Sequence, residues 1–288
     1  MKKPKIIAEI GCNHKGNIEI AKELITTAKI FCKADAVKFQ KRNNKYWASI
    51  KPIQYNSPHP NPANAYGDTY LAHREALEFT AEQHRELMSF CQKNDIEYST
   101  STWDLQSAKE ITSINPKMIK IPSACNNNYE MLEYLCDNYG GEIHISTGMT
   151  TKKEIEDIVL FFENKKRNGD LILYNCTSGY PVPFEDVCLL EINNLINKYA
   201  SRIKAIGFSG HHLGIAIDIA AYTLGASYIE RHYTLDRTWK GTDHSASLEP
   251  NGLRKLVRDL NAAYKALTYK NVDILPIEQV QRNKLKHV

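Results

Sequence analysis

Two histidines, His211 and His232, stand 21 residues apart, and each closes a short β-like run: KAIGFSGH over 204–211 and YIERH over 228–232. A helical stretch separates the two runs. In a parallel α/β fold such a unit carries the chain from the carboxyl end of one strand to that of the next, which brings both imidazoles to one mouth. A single histidine there reads first as a satisfied core residue. The pair suits a divalent cation and leaves coordination positions open, as a catalytic ion requires. Glu230, Asp243 and His244 follow close behind. His212 and His244 fit solvent-facing or supporting roles better than ligation.

Two lysines interrupt apolar runs, Lys38 in AVKFQ and Lys120 in MIKIPS. An ammonium group in such a strand is costly unless it meets an anion. A salt bridge to a strand glutamate accounts for one of them. Two on different strands, ringed by hydroxyls, better suit a phosphate or phospho-carboxylate ligand. Lys38 and Gln40 are two apart and so share a strand face. Other polar residues at strand ends are Thr100, Ser101, Ser123, Ser178 and Ser209. Glu9, ending the first strand, is either a salt-bridge partner at the core edge or a carboxylate poised for proton transfer. No P-loop and no G-x-G-x-x-G occurs, which leaves nucleotide binding without support.

The elements that must hold these groups alternate. Strand patterns run over 5–11, 35–40, 97–102, 118–123, 142–148, 171–176, 204–210 and 227–233. Helical patterns lie between them, as over 18–31, 80–94, 151–166 and 213–225, and a last one covers 250–268. Strict alternation implies parallel strands with right-handed crossovers, and eight repeats favour a closed (β/α)8 TIM barrel over an open sheet. The chain has 288 residues, 42% of them apolar, and a barrel of roughly 250 residues fits within it. It is expected to fill 1–270, leaving a short basic tail over 271–288. The longest interruption, 41–79, is rich in Asn, Pro, Tyr and His and reads as a lid over the top face.

Thirty-seven basic against 33 acidic residues give a net charge of +4 without any large Lys/Arg cluster, which argues against nucleic acid as a partner. No run approaches the roughly 18 apolar residues of a membrane span, and the amino terminus lacks a signal peptide's cleavage pattern. Seven scattered cysteines without a C-x-x-C pair fit free thiols in a reducing cytoplasm.

At these residues the chain resembles the sialic acid synthase family. The matching segments are AEIGCNHKG (8–16), ADAVKFQK (34–41), YSTSTWD (98–104), KIPSA (120–124), HISTGM (144–149), NCTSGYPVPFEDV (175–187), GFSGHH (207–212), ERHYT (230–234) and GTDHSASLEP (241–250). The resemblance implies a TIM barrel that condenses phosphoenolpyruvate with an N-acetylhexosamine, most simply N-acetylmannosamine, to give N-acetylneuraminate. A synthase for a legionaminic, pseudaminic or deaminated acid is the nearest alternative. A different lyase or epimerase, or a non-catalytic sugar-phosphate-binding barrel, is more remote. It also implies Mn2+ or Mg2+ on His211 and His232, and phosphoenolpyruvate on Lys38, Lys120, Ser123, Ser178 and Ser209. Gln40, Tyr180 and Asp243 match residues that orient the acceptor, and Glu9 matches the catalytic acidic residue. Ser178 stands where many members carry Asn, and Cys125 where many place an acceptor-contacting Glu. Longer members form a homodimer in which a C-terminal antifreeze-like domain lends the partner an arginine. This chain stops at Val288, so a group in 41–79 or a separate polypeptide is expected to replace it, and dimerisation is an open expectation.

Overall fold

The computed structural model describes residues 2–287. Eight parallel strands close on themselves in sequence order: β1 (Lys5–Gly11), β2 (Ala36–Lys41), β3 (Glu97–Thr102), β4 (Met118–Ile121), β5 (Glu142–Ser146), β6 (Leu171–Cys176), β7 (Ala205–Gly210) and β8 (Tyr228–His232). The pairing of Glu9 with His232 across β1 and β8 completes the (β/α)8 TIM barrel. Each strand lies within two residues of its expected bounds. The fourth ends at Ile121 because Pro122 has no N–H to offer the ladder.

The helices are α1 (Ile18–Thr27), α2 (Asn44–Ile50), α3 (Pro52–Asn56), α4 (Tyr70–Ala76), α5 (Ala81–Lys93), α6 (Leu105–Ile114), α7 (Tyr129–Asn138), α8 (Lys152–Asn164), α9 (Glu191–Tyr199), α10 (Ala216–Thr223), α11 (Pro250–Ala266) and α12 (Pro276–Leu285). Their starts are written locally. Thr80 with Gln83 and Thr151 with Glu154 form capping boxes, and Asp104 accepts from the Ser107 N–H. The 41–79 segment, expected as a lid loop, carries three short helices, α2, α3 and α4. The tail carries α12, whose Ile277, Val280 and Leu285 are exposed.

Two apolar layers result from the period of two along each strand. Residues facing the helices, such as Ile6, Ala8, Val37, Ile119 and Ile143, form the main core. Those facing the axis make a smaller plug of Ile7, Ala36, Met118, Ile172 and Tyr174. Gly207 admits the Tyr174 ring, because a Cβ there would sit 2.7 Å from a ring carbon. Above this plug the axis-facing positions turn polar and charged.

Candidate active site

The strand parity that fills the plug also aims Glu9, Lys38, Gln40, Ser101, Lys120, Ser209, Glu230 and His232 along the axis at the carboxyl end. They line a cavity of about 340 Å³ together with Ser123, Ser178, Tyr180 and His211. Four buried charges form its floor. Lys38 Nζ lies 2.5 Å from Glu9 Oε2 and 3.7 Å from Glu230 Oε1, and donates to Ser101 Oγ at 2.8 Å. The Glu9 approach is a charge contact whose angle falls short of a hydrogen bond, since Oε2 has no aligned donor. Lys120 Nζ donates to Glu230 Oε2 at 3.1 Å and rests 3.4 Å from the centroid of the Tyr174 ring. Ser209 Oγ donates to Glu230 Oε1. Both lysines are thus met by strand glutamates.

The four groups do not share charge evenly. Burial disfavours the Glu230 carboxylate, but Lys120 and Lys38 outweigh that cost and hold it below the usual carboxylate range. Glu9 touches only one ammonium. Burial raises it, Lys38 opposes the rise, and the nearby Glu230 adds to it. The two partners of one close contact therefore both sit high, because Lys38 is held up by Glu230 as well as by Glu9 against its own burial. Lys120 goes the other way: burial lowers it, and Lys38 reinforces the fall. The floor is best described as Glu230 ionised between two ammonium groups, with Glu9 the carboxyl closest to holding a proton.

His211 and His232 face each other above this floor, ring centroids 5.3 Å apart. Burial and the neighbouring His232 bring His211 down to about 3, so its imidazole is neutral at physiological pH. Its Nδ1 pairs with the Thr177 carbonyl at 3.1 Å. That contact makes Nδ1 the donor and leaves the Nε2 lone pair free. His232 Nδ1 is buried without a hydrogen-bond partner, 3.8 Å from Asp243 Oδ2. One neutral ring with a free lone pair beside an orphaned ring nitrogen suits a divalent cation. Among the described residues no three His, Cys, Asp or Glu side chains converge as ligands, so such an ion on this pair needs substrate or water to complete its shell.

Gln40 donates to Glu9 Oε1 at 3.0 Å and accepts from Arg42 at 2.9 Å. The Tyr180 ring stands 4.4 Å from His211 and 5.7 Å from His232, centroid to centroid. The Gly148 N–H donates to Ser123 Oγ at 3.0 Å. A Cβ on Gly148 would collide with the hydroxyls of both Ser178 and Ser123, so only glycine lets the two converge. Asp243 lies in an adjoining outer chamber of about 320 Å³, which shares Gln40, Trp103, Tyr180 and His232 with the inner cavity.

Not every expected residue arrives. Thr100 faces away from the axis, buried, its Oγ1 without a partner. Its neighbours Ser99 and Ser101 take the inward positions, so Thr100 does not line the cavity. Cys125 turns its thiol to the Trp103 carbonyl at 3.2 Å and also stays outside the lining. His212 is fully buried rather than solvent-facing, held with Asp218 by Arg231. His244 is buried against Thr234. Glu230, Arg42 and Arg74 were not singled out as site residues. For Glu230 the signal was present, because it shares a face with His232 two residues on.

The NeuB family's sequence profile matches residues 24–272. The chain is 39% identical over 287 residues to N-acetylneuraminate-9-phosphate synthase of Mus musculus, covering 97% of this chain and 76% of that protein. It is 35% identical to N,N'-diacetyllegionaminic acid synthase of Campylobacter jejuni, covering 93% and 78%. The crystal structure of N-acetylneuraminic acid synthetase from Leptospira borgpetersenii superposes with a TM-score of 0.81 at 31% identity, covering all of this chain and 94% of that one.

Proposed function

Because the chain belongs to the NeuB family and is a phosphoenolpyruvate-dependent condensing transferase of the sialic acid type, we propose that it joins phosphoenolpyruvate to the open-chain aldehyde of an N-acetylhexosamine, N-acetylmannosamine being the simplest candidate. The product is a nonulosonic acid, released with inorganic phosphate. The convergence of Lys38 and Lys120 from separate strands beneath two imidazoles in one cavity carries this reading.

Charge supports it. Glu230 is held ionised and shared by two ammonium groups, so the floor keeps positive charge to offer a ligand. Phosphoenolpyruvate brings roughly three negative charges, two of them on phosphate. Lys38 and Lys120 take the anionic groups, with Ser123, Ser178 and Ser209 donating to their oxygens. The remaining imbalance matches a divalent cation, manganese or magnesium, on His211 and His232. Bound there, it supplies Lewis-acid polarisation of the aldehyde. C3 of phosphoenolpyruvate uses its enol electron pair to bond the aldehyde carbon, and the aldehyde oxygen takes the Glu9 proton. The Glu9 carboxylate then removes a proton from the water that adds to the cationic C2. The C2–O bond to phosphate then breaks as the C2 hydroxyl gives up its proton to the departing phosphate, which leaves the 2-keto acid. Gln40, bonded to Glu9, and Tyr180, packed on both imidazoles, orient the acceptor.

The test is phosphate release by purified protein given phosphoenolpyruvate, manganese and a panel of aldoses. Release that requires both an N-acetylhexosamine and phosphoenolpyruvate, with stoichiometric 2-keto acid, is the expected result. Release without an acceptor, or none with any aldose, overturns the assignment.

A further inference from the structure

Arg231 is a charged residue on the apolar side of its strand. On β8, Glu230 and His232 face the axis, while Ile229 joins the layer packed beneath the helices. Arg231 shares the side of Ile229 and is only 2% exposed. Its guanidinium nevertheless meets several oxygens. Nη1 pairs with the Asp218 carboxylate in the first turn of α10 and donates to the Gly214 carbonyl at 2.8 Å. Nη2 donates to the His212 carbonyl at 2.7 Å, and Nη1 also meets the His212 ring at 3.0 Å.

Those partners all belong to the turn that presents His211 and to the helix that follows it. The pairing of Gly210 with Arg231 is the last rung between β7 and β8, and α10 does not start until Ala216. Among the described residues, no backbone N–H meets the carbonyls of His212 or Gly214, so Arg231 is what anchors them. The His211 carbonyl is held from the other side by the Val182 N–H at 3.1 Å. Alternation then turns His212 outward to the guanidinium and His211 inward to the cavity. The His212 ring is wedged beside Gly210, where a Cβ would sit 2.7 Å from a ring carbon, and it stacks on Phe208.

A buried ion pair is a poor way to gain stability, because apolar side chains of similar volume often do as well or better. What a guanidinium offers beyond them is a rigid fork that holds several oxygens at fixed places. Here the fork grows from the residue directly before His232 and grips two carbonyls shortly after His211. One side chain therefore ties together the two segments whose imidazoles face each other at 5.3 Å.

We propose that Arg231 is the positioning residue of the paired imidazoles: from behind the barrel wall it sets the spacing at which His211 and His232 hold one divalent cation. This rests on the synthase reading above, to which it adds a residue that touches neither substrate nor ion.

The experiment titrates Mn2+ alone into purified protein and follows the free ion by electron paramagnetic resonance. Arg231→Lys keeps a cation beside Asp218 but cannot grip both carbonyls. Its manganese dissociation constant should rise at least about tenfold, the scale of loss when the group supporting a ligand is removed. Tm should stay close to wild type, and KM for phosphoenolpyruvate at saturating manganese within about twofold. Unchanged manganese affinity in the folded variant overturns the proposal. So does an equal loss of affinity for manganese and phosphoenolpyruvate, which marks a general loosening of the mouth. If the lysine variant does not fold, the double variant Arg231→Met with Asp218→Leu removes both charges together and leaves neither unpaired, and the same outcomes decide. Failure of both to fold assigns Arg231 to stability alone and overturns the proposal. If wild-type protein binds manganese but consumes no phosphoenolpyruvate with any aldose, the synthase reading fails and the titration still stands. If it binds no manganese, the ligand assignment fails and the imidazole 15N spectrum decides. His211 held as the Nδ1–H tautomer in wild type and averaged between tautomers in Arg231→Lys supports positioning; any other pattern overturns it.

Discussion

The two ends of the barrel axis hold similar inventories of charge and treat them in opposite ways. At the amino-terminal end, Lys5 meets Glu97 at 2.6 Å and Lys204 meets Glu142 at 2.9 Å. Glu142 also accepts from His144, whose other ring nitrogen pairs with the Tyr174 hydroxyl at 2.8 Å. That set is closed. At the carboxyl end, Glu230 is split between two lysines, His232 Nδ1 lacks a partner, and Arg42 and Arg74 donate to the uncharged Gln40 and Cys12. The first arrangement secures the fold. The second leaves polar capacity for something outside the chain to satisfy, which is how a barrel separates stability from chemistry.

The sharpest break of this contrast is His232→Ala. Activity should fall by at least about a thousandfold and the protein should lose retained manganese, while its circular dichroism and Tm hold. Unchanged metal content removes the ligand assignment. Next is Lys120→Met, which should lower kcat/KM for phosphoenolpyruvate by about 100- to 1000-fold. The acceptor KM should move far less, and an equal rise in both counts against the phosphate role.

At the closed end the expected effect is on stability. Burial brings His144 down to about 4, beneath its ordinary 6.5, despite the help of Glu142. Glu142 itself is held down to about 2, chiefly by its bond to His144, and stays ionised throughout that window. A folded-state value below the unfolded one means that the His144 contribution is complete above about pH 6.5 and shrinks as pH falls toward 4. It steepens the loss by at most about 1.4 kcal/mol per pH unit. Denaturant unfolding of His144→Phe across that range should show a shallower slope with unaltered KM values; an unchanged slope refutes the sign or the site. Thr100→Val is the smallest effect: neutral or stabilising by less than about 1 kcal/mol, because a buried hydroxyl without a partner is removed. A kinetic defect there would return Thr100 to the site.

Alternation of strand and helix patterns was enough to read the barrel, and strand ends were enough to bring His211, His232, Lys38 and Lys120 to one mouth. The errors follow one rule applied unevenly. Parity was used to put Lys38 and Gln40 on one face, but not to separate Thr100 from Ser101, or His212 from His211. Applied to YIERH, it pairs Glu230 with His232. Arg42 was within reach of the same rule, and Arg74 was not. Arg74 stands on α4, in a segment without sustained helical period, whereas Arg42 directly follows β2 on the parity of Lys38 and Gln40.

Gly207 has no group to contribute to any reaction, yet it governs one. Its bare backbone lets the Tyr174 ring lie across the bore, and the ring's face is the shelf on which the Lys120 ammonium rests. A single added methyl at 207 would tip that shelf, and the ammonium above it would lose its elevation. The height of a charge in this molecule is set by an atom that is not there.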